Sequence, residues 1–238
     1  MSQAVGLVHT VPGLVAELDE LTAQALPEAR RVHVADPALL RRALDEGVTA
    51  WVVDQVTAHV RHLARIGVGA VLLTCSSIGE AAAPAGRALG LPVSRIDTPM
   101  VNAAVGLALA PGARGRVGLL ATLASTVAPT RRLIHLAASR RTAPAGGEVR
   151  VTARVVEGAD AARRAGRTDQ ADRLVAAAAG QLGAEVDVVV LAQASMAGAA
   201  ELPGGPAPLL ASPASGIAAF AAMVHELWAN GRPSGGPS

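Results

Sequence analysis

The sequence contains a single cysteine, Cys75, and the residues around it are those from which a reactive thiol site can be built. Ser76 and Ser77 follow it directly, Gly79 lies two residues further on, and a leucine-rich run typical of a buried strand precedes Cys75. A thiolate can accept a proton or attack carbon, and hydroxyl groups beside it can hold an anionic substrate. A lone cysteine can also be an inert buried thiol. Its polar neighbours at a strand end favour a catalytic Cys75.

Polar side chains also follow other predicted strands, where parallel sheets bind ligands. His9 could be a hydrogen-bonded loop residue or a ligand contact, because histidine serves either role. Gln193 could cap the following helix or donate its amide hydrogens to a substrate oxygen. The polar residues at these strand ends, which are the candidates for ligand contacts, are His9, Thr10, Ser76, Ser77, Thr122, Gln193 and Ser195.

Short β-branched or leucine-rich runs alternate with longer helical patterns along the whole chain. This alternation predicts an α/β protein with parallel sheets covered by helices. Eight strands are expected: Val5–Val8, Arg31–Ala35, Ala70–Thr74, Val93–Ile96, Val117–Ala121, Val149–Val156, Val186–Ala192 and Leu209–Ala211.

The chain also repeats itself. The segment VGLVHT, which ends at Thr10, matches VGLLAT, which ends at Thr122, and the segment around Cys75 matches the one around Gln193. A weaker match pairs Thr98-Pro99 with Ser212-Pro213, and the order of the three matches is preserved. Chance similarity in so alanine- and valine-rich a chain is the alternative. The repeat favours two pseudo-symmetric Rossmann-like halves, with Cys75 and Gln193 on opposite sides of an active-site cleft between them.

The expected domain boundaries follow from this repeat. Residues 1–97 with 209–229 form the first half and residues 98–208 the second, while the Gly/Pro/Ser-rich tail 230–238 is expected to be disordered.

Composition excludes several classes of function. The chain has 238 residues and a net charge of +2, its 21 basic residues are all arginine, and aromatic residues are scarce, so nucleic-acid binding is disfavoured. No apolar run is long enough for a membrane span, and no export signal is seen, so a cytoplasmic protein is expected. His59 and His62 lie three residues apart, but without a third ligand we predict no metal; no dinucleotide or phosphate-loop motif implies a cofactor.

Three segments resemble the aspartate/glutamate racemase superfamily, which includes amino-acid and hydantoin racemases, maleate cis-trans isomerase and arylmalonate decarboxylase. They are LLTCSSIG around Cys75, VGLLAT ending at Thr122 and VVVLAQASMAG around Gln193. The resemblance implies a duplicated two-domain fold, a small carboxylate substrate and no cofactor, and homodimers are common in the family. It also implies that Ser76, Ser77 and Thr122 hold the substrate carboxylate.

The resemblance further implies that Cys75 is the first of the two cysteines that racemases place on either side of the substrate. Gln193 stands where the second cysteine is expected. Because an amide cannot carry a proton as a thiol does, ordinary two-thiol racemisation is in doubt and the amide would instead stabilise negative charge. We expect isomerase chemistry at the α-carbon or double bond of a small carboxylate; the alternatives are a decarboxylase or lyase, or a catalytically silent homologue that binds a small acid.

Overall fold

The computed structural model describes residues 3–141, 148–203 and 205–231. Two compact units make up the chain: Met1–Ile96 with Pro213–Ser238, called unit 1, and Asp97–Ser212, called unit 2. The tail predicted over 230–238 lies outside the described residues from position 232 onward. No helix in the described part of the chain combines the length and apolar character needed to cross a membrane.

Unit 1 is built on a four-stranded parallel sheet with the order β2-β1-β3-β4. Its strands are β1 (Ala4–His9), β2 (Arg30–Ala35), β3 (Val68–Leu73) and β4 (Val93–Arg95). Its helices are α1 (Val15–Ala25), α2 (Pro37–Glu46), α3 (Ala50–Arg65), α4 (Ala82–Leu89) and α9 (Ser212–Ala229), whose first residue belongs to unit 2. Short 3₁₀ helices cover Pro12–Leu14 and Ser76–Ala81.

Unit 2 repeats the same design with the strand order β6-β5-β7-β8, again all parallel. Its strands are β5 (Arg116–Ala121), β6 (Arg150–Val155), β7 (Val188–Leu191) and β8 (Leu209–Leu210). Its helices are α5 (Thr98–Ala108), α6 (Val127–Ser139), α7 (Ala159–Arg164) and α8 (Thr168–Gly183). Short 3₁₀ helices cover Ala124–Thr126 and Ala194–Glu201.

Each sheet buries both of its faces, because successive side chains of a strand point to opposite sides. In unit 1, Val5 and Leu7 pack with α1 and α9, whereas Ala4 and Val8 pack with α2, α3 and α4. In unit 2 the two faces are covered by α5 with α6 and by α7 with α8. Strands buried on both sides explain why the sequence shows continuous apolar runs rather than alternation.

A glycine at the same place in both units lets a helix approach the central strand. A Cβ on Gly6 of β1 would lie 2.8 Å from Leu63 Cδ1, and a Cβ on Gly118 of β5 would lie 2.8 Å from Leu182 Cδ2. These distances are too short for any side chain, so both positions require glycine unless the leucine moves. The repeat therefore extends from the sequence to the packing of the sheet.

The α/β class with two similar halves is confirmed, and all eight predicted strands are present. Their ends differ from the prediction by at most two residues; Thr74 and Ala192, for example, lie just beyond the last residues of their strands. The two units exchange helices. The helix that follows β4 of unit 1 belongs to unit 2, and all but the first residue of the helix that follows β8 of unit 2 belongs to unit 1.

Candidate functional site

The strand order creates one switch point in each unit. After β1 the chain adds β2 on one side and later β3 on the other, so the loops after β1 and β3 diverge at their carboxyl ends; β5 and β7 do the same in unit 2. Ligands of open α/β sheets bind at such points. In unit 1 the switch point carries His9, Thr10 and Cys75, and in unit 2 it carries Thr122 and Gln193.

Cys75 lies one residue beyond Thr74, whose N–H donates to Val8 O over 3.0 Å and so ties the end of β3 to β1. It is half-buried, and its side chain packs against the core of unit 1. Its extended backbone, with φ −120° and ψ 122°, leads into the 3₁₀ helix Ser76–Ala81. The first turn of this helix closes when Ile78 N–H donates to Cys75 O over 3.3 Å.

Three hydroxyl residues lie just beyond the carboxyl ends of β1 and β3. Thr10, Ser76 and Ser77 are all buried, each at or below 5% exposure. The Thr10 and Ser76 hydroxyls have no hydrogen-bond partner among the described residues. Buried hydroxyls in native proteins nearly always have a partner, so these two are available to a bound polar group.

His9 is buried at the same edge, and both of its ring nitrogens are hydrogen-bonded. Its Nδ1 lies 3.0 Å from Thr74 Oγ1, and its Nε2 lies 2.9 Å from Nδ1 of His33 on the neighbouring strand. The two imidazole rings lie edge to edge and nearly parallel, with centroids 5.1 Å apart and an interplanar angle of 15°. Burial, reinforced by the nearby His33, lowers the pKa of His9 from 6.5 to about 4, and Asp19 opposes this only in part. His9 is therefore uncharged at neutral pH.

The hydrogen bonds continue from His33 to the surface. His33 Nε2 lies 3.0 Å from Asp19 Oδ1, which also accepts from Arg31 Nε over 2.7 Å. The Arg31 hydrogen bond lowers the pKa of Asp19, so Asp19 is a carboxylate at neutral pH. No sequence pattern marks His33, Asp19 or Thr74 as a site residue. The signal that could have found them is the parallel pairing of β1 with β2, which puts Leu7 opposite His33 and so brings His33 close to His9.

At the switch point of unit 2, the two polar side chains are hydrogen-bonded to each other. The Gln193 side-chain oxygen accepts two hydrogen bonds from Thr122, from its N–H over 2.7 Å and from its hydroxyl over 2.9 Å. This pair of bonds fixes which end of the amide is oxygen and leaves the two N–H groups of Gln193 as donors. No hydrogen bond of that nitrogen occurs within the described ranges. Ser195 lies in the following 3₁₀ helix, is half-buried and bonds neither residue.

Arg95 is a further charged residue near the Cys75 segment. Its guanidinium lies against Gly79, where a Cβ would come within 2.6 Å of Arg95 Cζ. Gly79 therefore lets the cation pack on the 3₁₀ helix that follows Cys75. The motif glycine has a steric role that spacing alone does not reveal.

Solved structures of known proteins are similar to nearly the whole chain. No curated protein matches it. Among solved structures, glutamate racemase isoform RacE1 from Bacillus anthracis has a TM-score of 0.67 at 14% identity, covering 98% of this chain and 85% of that one. Allantoin racemase from Klebsiella pneumoniae has a TM-score of 0.56 at 17% identity, covering 100% and 94%.

A glycine-to-cysteine mutant of arylmalonate decarboxylase is also similar, with a TM-score of 0.58 at 18% identity, covering 94% of this chain and 93% of that one. At these identities the similarity concerns the fold. The family model described as Asp/Glu/Hydantoin racemase matches residues 9–219. Because that match spans most of the sequence, this chain belongs to the Asp/Glu/hydantoin racemase family.

Proposed function

We propose that this protein is a cofactor-independent isomerase that acts at the α-carbon or double bond of a small carboxylate, with Cys75 as its only thiol. The observation that carries the proposal is the switch point of unit 1. There the single thiol of the chain follows the end of β3, and the buried Thr10 and Ser76 hydroxyls have no partner among the described residues. A thiol supplies the base or nucleophile, and the hydroxyls can donate to a substrate carboxylate.

Gln193 determines which isomerase reactions are open. Its side-chain oxygen already accepts two hydrogen bonds from Thr122, and an amide nitrogen does not act as a base. Gln193 therefore cannot remove or return a proton as a second thiol would. We assign it the role of a donor to a substrate oxygen, which stabilises negative charge that develops during reaction.

Cis-trans isomerisation needs only one thiol. The Cys75 thiolate adds to one carbon of the double bond, the electron pair moves onto the neighbouring carbon and its carboxylate, and the remaining single bond rotates. Expulsion of the thiolate restores the double bond in the other geometry, so no proton or electron is gained or lost. Donors to the carboxylate oxygens, such as the Gln193 amide, lower the energy of the intermediate.

Decarboxylation is the second candidate, because it also needs a single thiol. Loss of carbon dioxide leaves a carbanion, and the Cys75 thiol gives it one proton, which is later replaced from water. A catalytically silent homologue that binds a small acid is the third candidate, since Gln193 replaces a reactive group. Isomerisation and decarboxylation differ in whether the product takes up a proton from water, so deuterium labelling distinguishes them.

Proton NMR in deuterium oxide, with maleate, arylmalonates, aspartate, glutamate and hydantoins as substrates, tests the proposal. Cis-trans conversion without deuterium uptake, or deuterium exchange at the α-carbon, is the expected result. Loss of carbon dioxide with one deuteron gained would instead identify the decarboxylase.

Cys75→Ala must abolish the reaction, while Ser139→Ala, which changes an exposed serine at the end of α6, must leave it unchanged. Activity that survives in Cys75→Ala would contradict a thiol mechanism. Acid binding without turnover, equal in both variants, would identify the silent homologue.

A further inference from the structure

A hydrogen-bonded chain of four side chains in unit 1 has no role in the chemistry above. It runs from Thr74, which precedes Cys75, through His9 and His33 to Asp19. Thr74 and His9 are buried, whereas the Asp19 side chain is 40% exposed. The chain therefore connects the residue before the thiol to solvent.

The exposed end of the chain fixes the direction of its first hydrogen bond. Asp19 is a carboxylate held by Arg31, so it can only accept. The bond of 3.0 Å to His33 Nε2 must then carry its hydrogen on the imidazole. When His33 is uncharged, its other nitrogen, Nδ1, has no hydrogen and is an acceptor.

That direction passes along the rest of the chain. Because His33 Nδ1 accepts, His9 must donate from Nε2 across the 2.9 Å contact. His9 is uncharged, so its Nδ1 bears no hydrogen and accepts from the Thr74 hydroxyl at 3.0 Å. All three hydrogen bonds then point from Thr74 towards Asp19, with both imidazoles in the Nε2–H form.

A second proton on His33 reverses the direction of the two inner bonds, which still join the same pairs of atoms. His33 Nδ1 then bears a hydrogen and donates to His9 Nε2, which becomes an acceptor. His9 stays uncharged by carrying its hydrogen on Nδ1, and it now donates to Thr74 Oγ1. The Thr74 hydroxyl turns to its second acceptor, Val8 O, at 3.2 Å. The net change is one proton taken up from solvent.

We propose that Thr74, His9 and His33 form a proton-dependent positioning switch for Cys75, in which one proton on His33 turns the Thr74 hydroxyl from His9 to the backbone of β1. Thr74 and His9 are positioning residues, since they act through the peptide that leads to Cys75 and through the tie between β1 and β3. The effect of the switch on catalysis rests on the proposed function, whereas the reversal of the hydrogen bonds does not.

The charged groups around the two imidazoles are few. Asp19 of α1 is the acid that contacts the pair, and Arg31 of β2 is the cation bound to that acid. The other charged or titratable side chains of the packed elements are Glu17 and Glu20 on α1, His225 and Glu226 on α9, Arg30, which donates to Ile66 O, and Asp36, which pairs with His59. Within the described residues none of these six bonds either ring, so Asp19 sets the direction of the chain.

Two-bond ¹H–¹⁵N NMR of histidine-labelled protein tests the switch directly on the unmodified chain. While His33 is uncharged, His9 and His33 are both expected as Nε2–H tautomers. When His33 takes up its second proton as the pH is lowered, His9 should stay uncharged and change to the Nδ1–H tautomer. An imidazolium at His9, or a His9 tautomer that does not change when His33 is protonated, overturns the proposal.

A carboxylate variant tests the origin of the direction. Asp19→Asn replaces the obligate acceptor by a group that can also donate, and we expect a mixture of His33 tautomers near pH 8. Glu28→Gln alters the exposed Glu28–His225 pair of the same unit, which is bonded over 3.0 Å and is not linked to His9. This control should leave both tautomers unchanged. A single Nε2–H form in Asp19→Asn would show that Asp19 does not set the direction.

The alkylation rate of Cys75 with iodoacetamide reports the consequence for the thiol and requires no substrate. In the unmodified protein its pH profile should show, besides the thiol ionisation, a second step at the pH where His33 titrates by NMR. Thr74→Val should lose the second step, and Thr74→Ser, which keeps the hydroxyl, should retain it. A second step that persists in Thr74→Val, or its absence from the unmodified protein, overturns the positioning role even if the enzyme is active.

Discussion

The buried His9 imidazole makes the stability of unit 1 depend on pH in a way that a single substitution can isolate. Its pKa is about 4 in the folded protein and 6.5 when exposed, so between these values the unfolded chain binds a proton that the folded chain does not. Stability is therefore complete above pH 6.5 and falls as the pH decreases towards 4. The proton-linkage relation gives a loss of about 2 kcal/mol from pH 7 to pH 5 and about 3 kcal/mol by pH 4.

His9→Gln removes this contribution, because glutamine does not titrate and can still donate to His33. We expect the free energy of unfolding of the variant to start below that of the unmodified protein at pH 7. The difference should then shrink by about 2 kcal/mol at pH 5. His62→Gln, which removes an exposed imidazole of α3, should give a curve parallel to the unmodified protein.

Urea unfolding followed by tryptophan fluorescence is a suitable assay, because both tryptophans, Trp51 and Trp228, belong to unit 1. The signal therefore reports the unit that contains His9. If the His9→Gln and unmodified curves keep a constant separation from pH 7 to pH 5, the reasoning from burial is refuted. The pKa of His9 in the folded protein would then equal its value in the unfolded chain.

Two further predictions concern unit 2 and can be checked by urea unfolding followed by circular dichroism. Gly118→Ala should lower the free energy of unfolding by about 1–3 kcal/mol because its methyl group would collide with Leu182, whereas Gly180→Ala, in the open interior of α8, should raise it by about 0.5–1 kcal/mol. Gln193→Ala should cost about 1–2 kcal/mol because it leaves the Thr122 N–H without its acceptor, while Gln193→Glu keeps an acceptor oxygen and should be less destabilising; equal losses would show that the bond to Thr122 contributes little.

The sheets were predictable because they are buried on both faces. Apolar runs such as Val117–Ala121 are too short for buried helices and too continuous for exposed strands, so they predict buried strands. The sequence repeat also shows that β1 is the counterpart of β5 and that β3 is the counterpart of β7. Strand ends were less predictable, because whether Thr74 or Ala192 continues a strand depends on a neighbouring backbone group that no local pattern specifies.

The partners of the site residues were not predictable from spacing. His9 and His33 are 24 residues apart, and their contact depends on which strands become neighbours and in what register. The Gln193–Thr122 bonds, over 71 residues, depend on the same kind of information. The sequence could indicate that polar groups gather at the carboxyl ends of the strands. It could not indicate that the Gln193 oxygen is already occupied, which decides what the amide can do.

The exchange of helices between the units has a consequence for the order of events during synthesis. Unit 2 is one continuous segment, Asp97–Ser212, so all of its parts have been made once residue 212 has been added. Unit 1 begins first but needs Ile217 and Phe220 of α9 to cover Val5 and Leu7 of its central strand. On the ribosome the later half can therefore complete its core before the earlier one, which must keep part of an apolar sheet face uncovered until α9 emerges.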